Sequence, residues 1–434
     1  MNVEIENRFS GSNEIDVKFF SGRNCPAEIF ELRRKGFVEE RGFLPDAKLL
    51  GPNDELGTHI GIYDGTGVLL AATHVMLADE SDFSEYSGVP PEFLRDAILS
   101  SRSVVASHAR NRGVVSLLLY VAMRWGRMHG RRHGVGYVEE GEPAAQRILG
   151  CKKIPGCPKR KVQGADGEFY EVIATYGHLD YLAQRCFLSM TRTLRNFVCR
   201  ELMPDEIVVA AKRGIEFAYD NLWFKRVVDG TLTRNQYGEA IANLHQYVRW
   251  TTRLLAQVIS ATSDPVLRGH FIEHLTGEID HERLLERDLA AIGWDVDWVI
   301  NHMAPATDIL QFMTVQQSLV SFERDPVLFL TVPLVAEGLS AFMDPAFIDA
   351  LESCVEGWGI TNPRSATKFI RSHVGTDGGE EGHWASVQHV LAHSLTDEAQ
   401  LQKCLALVQT ISGAMNRAYS GYVSTPDLGA IPFL

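Results

Sequence analysis

The alternation of apolar and polar positions changes texture near residue 185. Before that point, short apolar runs alternate with glycine-rich turns. Residues 57–63 and 68–76 are two such runs, separated by Asp64-Gly65-Thr66-Gly67, and an Asp-Gly turn between apolar runs predicts a β-hairpin. Residues 101–107, 134–139 and 168–176 read as further strands, 114–129 as an amphipathic helix and 143–149 as a short one. Strands mixed with helices predict an α+β domain on a mixed sheet. After residue 185 the apolar spacing is helical throughout, and helices are expected over 204–227, 233–262, 264–292, 305–322, 328–356, 363–375, 383–394 and 397–423. Thr233, Asp264 and Thr396 stand as N-caps, Pro265 at a first helical position and Gly293 at a stop. No strand pattern interrupts them, so this part should be an all-α bundle. Two domains follow, 1–185 and 186–434.

Composition narrows the function classes. The 434 residues are 45% hydrophobic and 22% charged, ordinary for a globular protein in which either part can bury a core. Lys and Arg number 42 against 55 Asp and Glu, a net charge of -13, which argues against a nucleic-acid partner. Residues 1–185 carry a net charge of -2 and the helical part carries -11, so the carboxylate excess lies in the bundle. No uncharged apolar run reaches the roughly 18 residues of a membrane span. The acidic start Met1-Asn2-Val3-Glu4 is unlike a secretory signal. Seven cysteines at irregular spacing fit free thiols in a reducing, cytoplasmic setting.

In the first part, Arg110-Asn111-Arg112-Gly113-Val114-Val115 lies between a strand and an apolar helix. A basic turn ahead of a helix N-terminus presents free backbone N–H groups that suit a pyrophosphate; a tight turn with two solvated arginines is the plainer reading. The segment resembles the acyl-CoA loop of GNAT acyltransferases. Residues 32–43 and Asn53-Asp54-Glu55 resemble the N-terminal helix and acidic loop of autoinducer synthases and N-acyl amino acid synthases. The resemblance implies an acyl-CoA or acyl-carrier-protein thioester held by Arg110, Arg112, Gly113 and Val115. This chain departs from the pattern in two places. Leu99 stands where those enzymes often carry an acid ahead of Arg102, so slow or absent acyl transfer is expected. Val115 replaces a small loop residue. Arg127 to His133 is a basic cluster, read as a solvated helix end or a phosphate contact.

In the helical part, Glu278 and His281 are three residues apart, which places them on one face of a continuous helix. Glu337 interrupts an apolar run, where an ionised carboxylate is costly unless paired or metal-bound. His373 and Asp377 are four apart, and Gly378-Gly379-Glu380-Glu381-Gly382-His383 follow. Mixed His and carboxylate donors suit iron or manganese. The set resembles the heme-oxygenase-like diiron oxidases and oxygenases, with no context for haem. That resemblance implies two iron ions held by Glu278, His281, Glu337, His373, Asp377 and His383. The family spacing puts the closing ligand at Glu380, so Glu380 or Glu381 is the alternative to His383. His274 is a further candidate facing the same core. The glycines predict an irregular segment over 373–384 and a weakly held second iron.

The resemblances together imply a dioxygen-dependent oxygenase acting on an amine or amino-acid derivative at nitrogen, in small-molecule biosynthesis. The alternative is oxidation, desaturation or C–C cleavage of a fatty acyl or amino-acid chain. A thiaminase-like hydrolase or a metal-free binding module stays open, the former needing a cysteine nucleophile at the pocket. A carrier protein and a second copy of the chain complete the expected partners.

Overall fold

The computed structural model describes residues 15–42, 49, 51, 53–81, 86–139, 150–164, 167–377 and 382–424. It falls into two compact units, Met1–Leu202 with Asp397–Ala399, and Met203–Thr396 with Gln400–Leu434.

The first unit is an α+β fold on one mixed sheet. Its strands are β1 Ile15–Ser21, β2 Thr58–Asp64, β3 Leu69–Leu77, β4 Ala97–Val105, β5 His133–Glu139, β6 Lys152–Lys153, β7 Arg160–Gln163 and β8 Phe169–His178, in the order β1-β2-β3-β4-β5-β8-β6 with β7 also on β8. The β2–β3 hairpin turns on Asp64, whose carboxylate accepts from the Thr66 and Val68 amides at 2.9 and 3.0 Å. Gly67 supplies the positive φ of 83° that the turn needs. All neighbours are antiparallel except β4 and β5, which pair only over Ala97–Leu99 with His133–Val135. Beyond Leu99 those two strands separate although β4 runs on to Val105. The helices of this unit are α1 Ala27–Arg33, α2 Pro91–Leu94, α3 Val114–Met128, α4 Leu179–Ser189 and α5 Arg192–Phe197. The expected short helix over 143–149 lies outside the described residues.

The division falls after Leu202 rather than after residue 185 because α4 and α5 belong to the first unit. Leu179, Leu182, Ala183, Cys186 and Phe187 are buried at helical spacing on α4. Gly126 of α3 and Gly134 of β5 both lie against Leu179, where an added Cβ would come within 2.8 and 3.3 Å. A helical sequence texture therefore begins before the first fold ends.

The second unit is all helical: α6 Met203–Tyr219, α7 Leu222–Val228, α8 Arg234–Ala261, α9 Pro265–Gly277, α10 His281–Ala291, α11 Val296–Asn301, α12 Thr307–Ser318, α13 Pro326–Phe329, α14 Thr331–Ala341, α15 Pro345–Gly357, α16 Lys368–Asp377, α17 His383–Ser394 and α18 Glu398–Val423. Thr233 and Gln236 form a reciprocal capping box on α8, and Asp264 caps α9 ahead of Pro265. Three long helices expected from the pattern are broken. The 204–227 span becomes α6 and α7, with Asn221 capping α7. The 328–356 span becomes α13, α14 and α15, with Asp344 capping α15 ahead of Pro345. The 264–292 span is broken at the candidate site. No single helix among the described residues is long and apolar enough to cross a membrane.

Candidate metal centre

The site in the second unit begins at the break between α9 and α10. Gly277 ends α9, and Asp280 adopts a left-handed φ of 67° before His281 opens α10. Asp tolerates that conformation better than most residues. Glu278 and His281 are therefore not one turn apart on a helix, as their spacing suggested. They are joined across a short turn, with His281 Nδ1 3.0 Å from Glu278 Oε2. The bare Gly277 also lets the His383 ring lie close, 3.3 Å from where a Cβ would stand.

The remaining donors come from three helices. Glu337 lies on the apolar α14, and its Oε1 is 2.7 Å from His274 Nε2 on α9. His373 lies on α16 and donates Nδ1–H to the Phe369 carbonyl at 2.9 Å, which leaves Nε2 as its free acceptor. Asp377 ends α16 and accepts from Ser340 Oγ of α14 at 2.5 Å. His383 opens α17, its Nδ1 3.3 Å from Asp377 Oδ1. The α16 N-terminus is itself held by Asp288 of α10. The two carboxylate oxygens of Asp288 accept from the Lys368 and Phe369 amides, each at 2.9 Å. Gly378, Gly379, Glu380 and Glu381 lie outside the described residues, so the expected irregular segment and the Glu380 or Glu381 alternative are not placed.

These side chains form three overlapping groups. The donor atoms of Glu278, His281 and His373 lie within 4.8 Å of one another, as do those of His274, Glu278 and Glu337, and those of Glu337, Asp377 and His383. Glu278 and Glu337 each belong to two groups, the arrangement of a pair of carboxylates between two positions. All six residues singled out in the sequence are in the cluster. His274 joins them as a seventh, and its signal in the sequence was the seven-residue, two-turn spacing to His281.

Electrostatics show what the cluster lacks. Three buried carboxylates face one another with no Lys or Arg paired to them among the described residues. Burial alone would lower the His274 imidazole, yet Glu337 and Glu278 hold it raised to about 10. Burial would raise Glu278, but hydrogen bonds from His274 and His281 push it well below the usual carboxylate range. Asp377 raises His383. Protons on imidazoles are here the nearest available positive charge. Two oxygens still find no hydrogen-bond partner, Glu337 Oε2 and Asp377 Oδ1. Buried orphan oxygens beside imidazole nitrogens are the mark of a place for cations. The residues present thus fit two iron ions.

A cavity of about 150 Å³ opens beside this cluster. His274, Glu278, Glu337 and His373 line it, and most of the remaining wall is apolar or aromatic, including Trp223, Phe224, Phe312 and Phe329. No cysteine lines it. Cys354 is turned away with its Sγ 3.6 Å from the Val227 carbonyl, and burial pushes the Cys404 thiol up to about 12.

The first unit carries its own buried polar cluster. Arg33, fully buried, donates to Asp54 Oδ1 at 2.8 Å and to His59 Nδ1 at 2.8 Å. Arg102 Nε is 3.2 Å from Asp54 Oδ2, which also accepts from the Gly51 amide at 2.6 Å. His59 donates Nε2–H to the Asp54 carbonyl at 3.0 Å. Asp54, His59 and His74 have ligand-type atoms within 4.8 Å, but Asp54 is already paired with two guanidiniums and His59 is bonded at both ring nitrogens. His74 Nε2 has no partner and is closed off by Gly57, where a Cβ would stand 2.5 Å away. Leu99 is buried in an apolar cluster with Met76, Ala97 and Val135, so the missing acid is replaced by core.

At the basic loop, Asn111 and Gly113 take positive φ values of 61° and 81° ahead of α3. Arg110 and Arg112 are exposed and Val115 is half-buried. Arg110 pairs with Glu40. Gly113 is packed against the chain leading into α5: an added Cβ would lie 3.4 Å from the Thr191 amide nitrogen and 3.7 Å from the Met190 Cα. Sequence reasoning placed no element there. In the basic cluster, Arg131 and Arg132 pair with Asp79 and Asp96 at 2.7 and 2.6 Å, and Arg127 is largely buried.

No protein-family model matches the chain, and no curated protein does. Similar solved structures include heme-oxygenase-like and acyltransferase ones. One is a domain of unknown function with a heme oxygenase-like fold from Shewanella denitrificans, at 17% identity over 49% of this chain and 88% of that chain, with a TM-score of 0.42. Another is a TenA homolog from Pseudomonas syringae pv. tomato, at 10% identity over 52% of this chain and 93% of that chain, with a TM-score of 0.43. A third is an N-acyl amino acid synthase from uncultured soil microbes, at 11% identity over 41% of this chain and 94% of that chain, with a TM-score of 0.28.

Proposed function

We propose that the second unit is a non-haem, dioxygen-dependent diiron oxygenase. The observation that carries this is the orphaned buried oxygen of Glu337 at the overlap of two donor groups. Glu278, His281 and His373 would hold one iron, and Glu337, Asp377 and His383 the other, with His274 beside the shared carboxylates. Two bound irons would supply the electrons and the binding place for dioxygen. The chain's own residues do the rest. The Phe369 carbonyl fixes the His373 ring, Ser340 orients Asp377, Asp288 anchors α16, and the apolar wall keeps water from the reacting atoms.

On an amine or amino-acid derivative this chemistry is N-oxygenation in small-molecule biosynthesis. On an acyl chain it is oxidation, desaturation or C–C cleavage. A thiaminase-like hydrolase is disfavoured by the absence of a cysteine from the cavity wall. The first unit, with Arg110 and Arg112 exposed, would dock a thioester phosphate from CoA or a carrier protein. The Thr191 backbone at Gly113 and the buried Leu99 both support slow transfer at best.

The test is metal content. Protein reconstituted with Fe(II) without oxygen should hold about two irons per chain. Stoichiometric iron with oxygen uptake supports the reading; protein that retains no iron overturns it.

A further inference from the structure

An occupied donor cluster would not be neutral. Glu278, Glu337 and Asp377 set three negative charges against the four positive ones of two Fe(II) ions. Any proton kept by His274 adds to the surplus. Among the described residues the cavity wall holds no carboxylate beyond Glu278 and Glu337, so the bundle supplies nothing more to cancel it. A buried net charge without a counter-ion costs several kcal/mol. The occupied cluster therefore favours one anion on its open side, where Glu278, Glu337 and His373 meet the cavity.

Tyr247 stands at that side. It lies on α8, a helix that gives the cluster no donor, and it lines the cavity. Phe312 holds its ring edge-on, with centroids 5.0 Å apart and planes at 83°. Its hydroxyl has no hydrogen-bond partner among the described residues, and its oxygen is not closed off as Glu337 Oε2 is. Burial raises the phenol well above its ordinary range, and Tyr419, Glu278, Glu337 and Asp377 raise it further. It stays a donor, and it lies within the field of all three carboxylates of the cluster. Tyr422 also lines the cavity, but the carboxylates that act on it are Glu239 and Asp308. Both are engaged. Glu239 accepts from Asn243 Nδ2 at 3.1 Å, and Asp308 pairs with Arg417 at 2.8 Å. An ammonium would find no free partner there. Size adds a limit. A dry cavity of about 150 Å³ is the scale that holds benzene, so a body of roughly six to ten heavy atoms fills it.

We propose that the cavity takes the anion of a small monocarboxylic acid, and that Tyr247 selects it by donating its phenol hydrogen to the carboxylate at the open side of the donor cluster. The wall around Phe312 and Phe329 takes the hydrocarbon body. This rests on the oxygenase reading, because the iron ions supply the positive charge. Within that reading it chooses the carboxylic acid over the free amine or amino acid.

Four six-carbon probes separate charge from size: hexanoate, hexanamide, hexylamine and norleucine. Each is titrated calorimetrically near neutral pH into the full chain, both iron-free and loaded with Fe(II) without oxygen, and iron is measured in the same samples. Hexanoate should bind the loaded protein at least ~10-fold more tightly than the other three, the worth of one charge-assisted hydrogen bond. Iron-free protein should show no such preference. Tyr247→Phe keeps the ring and should cost hexanoate ~10-fold or more, with hexylamine binding, thermal midpoint and iron content unchanged. Hexanamide, hexylamine or norleucine bound by the loaded protein as tightly as hexanoate would overturn the proposal. So would a hexanoate preference that persists without iron, or a Tyr247→Phe protein that binds hexanoate unchanged or loses hexanoate and hexylamine alike. A chain that takes up no iron sinks the oxygenase and this inference with it. A chain that takes up its iron and favours another probe sinks this inference alone.

Discussion

Each unit buries a knot of carboxylate and imidazole, and the two are built to opposite ends. In the first, one carboxylate, Asp54, is met by two guanidiniums and a backbone N–H, and His59 is bonded at both nitrogens. In the second, three carboxylates are met by imidazoles and one serine hydroxyl, and two of their oxygens have no hydrogen-bond partner. Residue types and spacing are much alike. What separates a closed structural knot from a place for cations is whether the buried carboxylate is already met by fixed positive charge. Proximity of His and Asp says little; an orphaned buried oxygen says more.

The sharpest way to break this contrast is Asp54→Ala. It would leave the fully buried Arg33 without its counter-charge and should destabilise the first unit by about 3–5 kcal/mol. Hydrogen exchange over α1 and the β2–β3 hairpin should speed up accordingly, with iron bound by the second unit unchanged. An Asp54→Ala protein with normal protection there would show that the knot is not a structural one.

Glu337→Ala is the counterpart in the second unit. Removing a carboxylate shared by two donor groups should weaken iron binding by about 100-fold or more, equivalent to about 2.7 kcal/mol. Helical content should stay near normal, because the change relieves a buried charge. His281→Ala should likewise lose most of the iron. Unchanged iron in both variants would remove the metal assignment.

Acidification tests the first knot from another side. Burial, with Arg33 nearby, lowers His59 to about 4, and burial with His59 nearby lowers His74 to about 3. Their unfolded value is near 6.5, so the unfolded chain takes up these protons first as pH falls. The stabilisation is full above about pH 6.5 and is lost progressively down toward pH 4 and 3. By pH 5 each imidazole should have cost about 2 kcal/mol. Protection of β2 and β3, followed from pH 7 to pH 5, should fall by that amount, and a flat profile would contradict the neutral, buried imidazoles.

The smallest effect is expected from Asp288→Asn. The amide keeps one acceptor for the α16 N-terminus and points an N–H at the other donor. Fraying of α16 should cost about 1 kcal/mol and loosen the iron held through His373 by up to ~10-fold. Equal iron affinity in the variant would show that α16 is positioned without its cap.

Much of the architecture was legible from pattern alone. Asp64 to Gly67 announced the hairpin, Thr233 the start of α8, and the change in texture the passage from mixed sheet to helices. Those signals are local: a turn needs a positive φ, a cap needs a nearby oxygen, and a buried face needs a period. The donor residue types were legible for the same reason, since a Glu in an apolar run is costly wherever it folds. The chain alone did not reveal the break at Asp280, because a helix over 264–292 satisfies the periodicity equally well and only packing makes the bend worthwhile. Nor did it reveal that α4 and α5 complete the first unit, or that Thr191 lies on Gly113. Each of these joins residues far apart in sequence, and no local propensity records which distant side chain will take or leave a hydrogen bond.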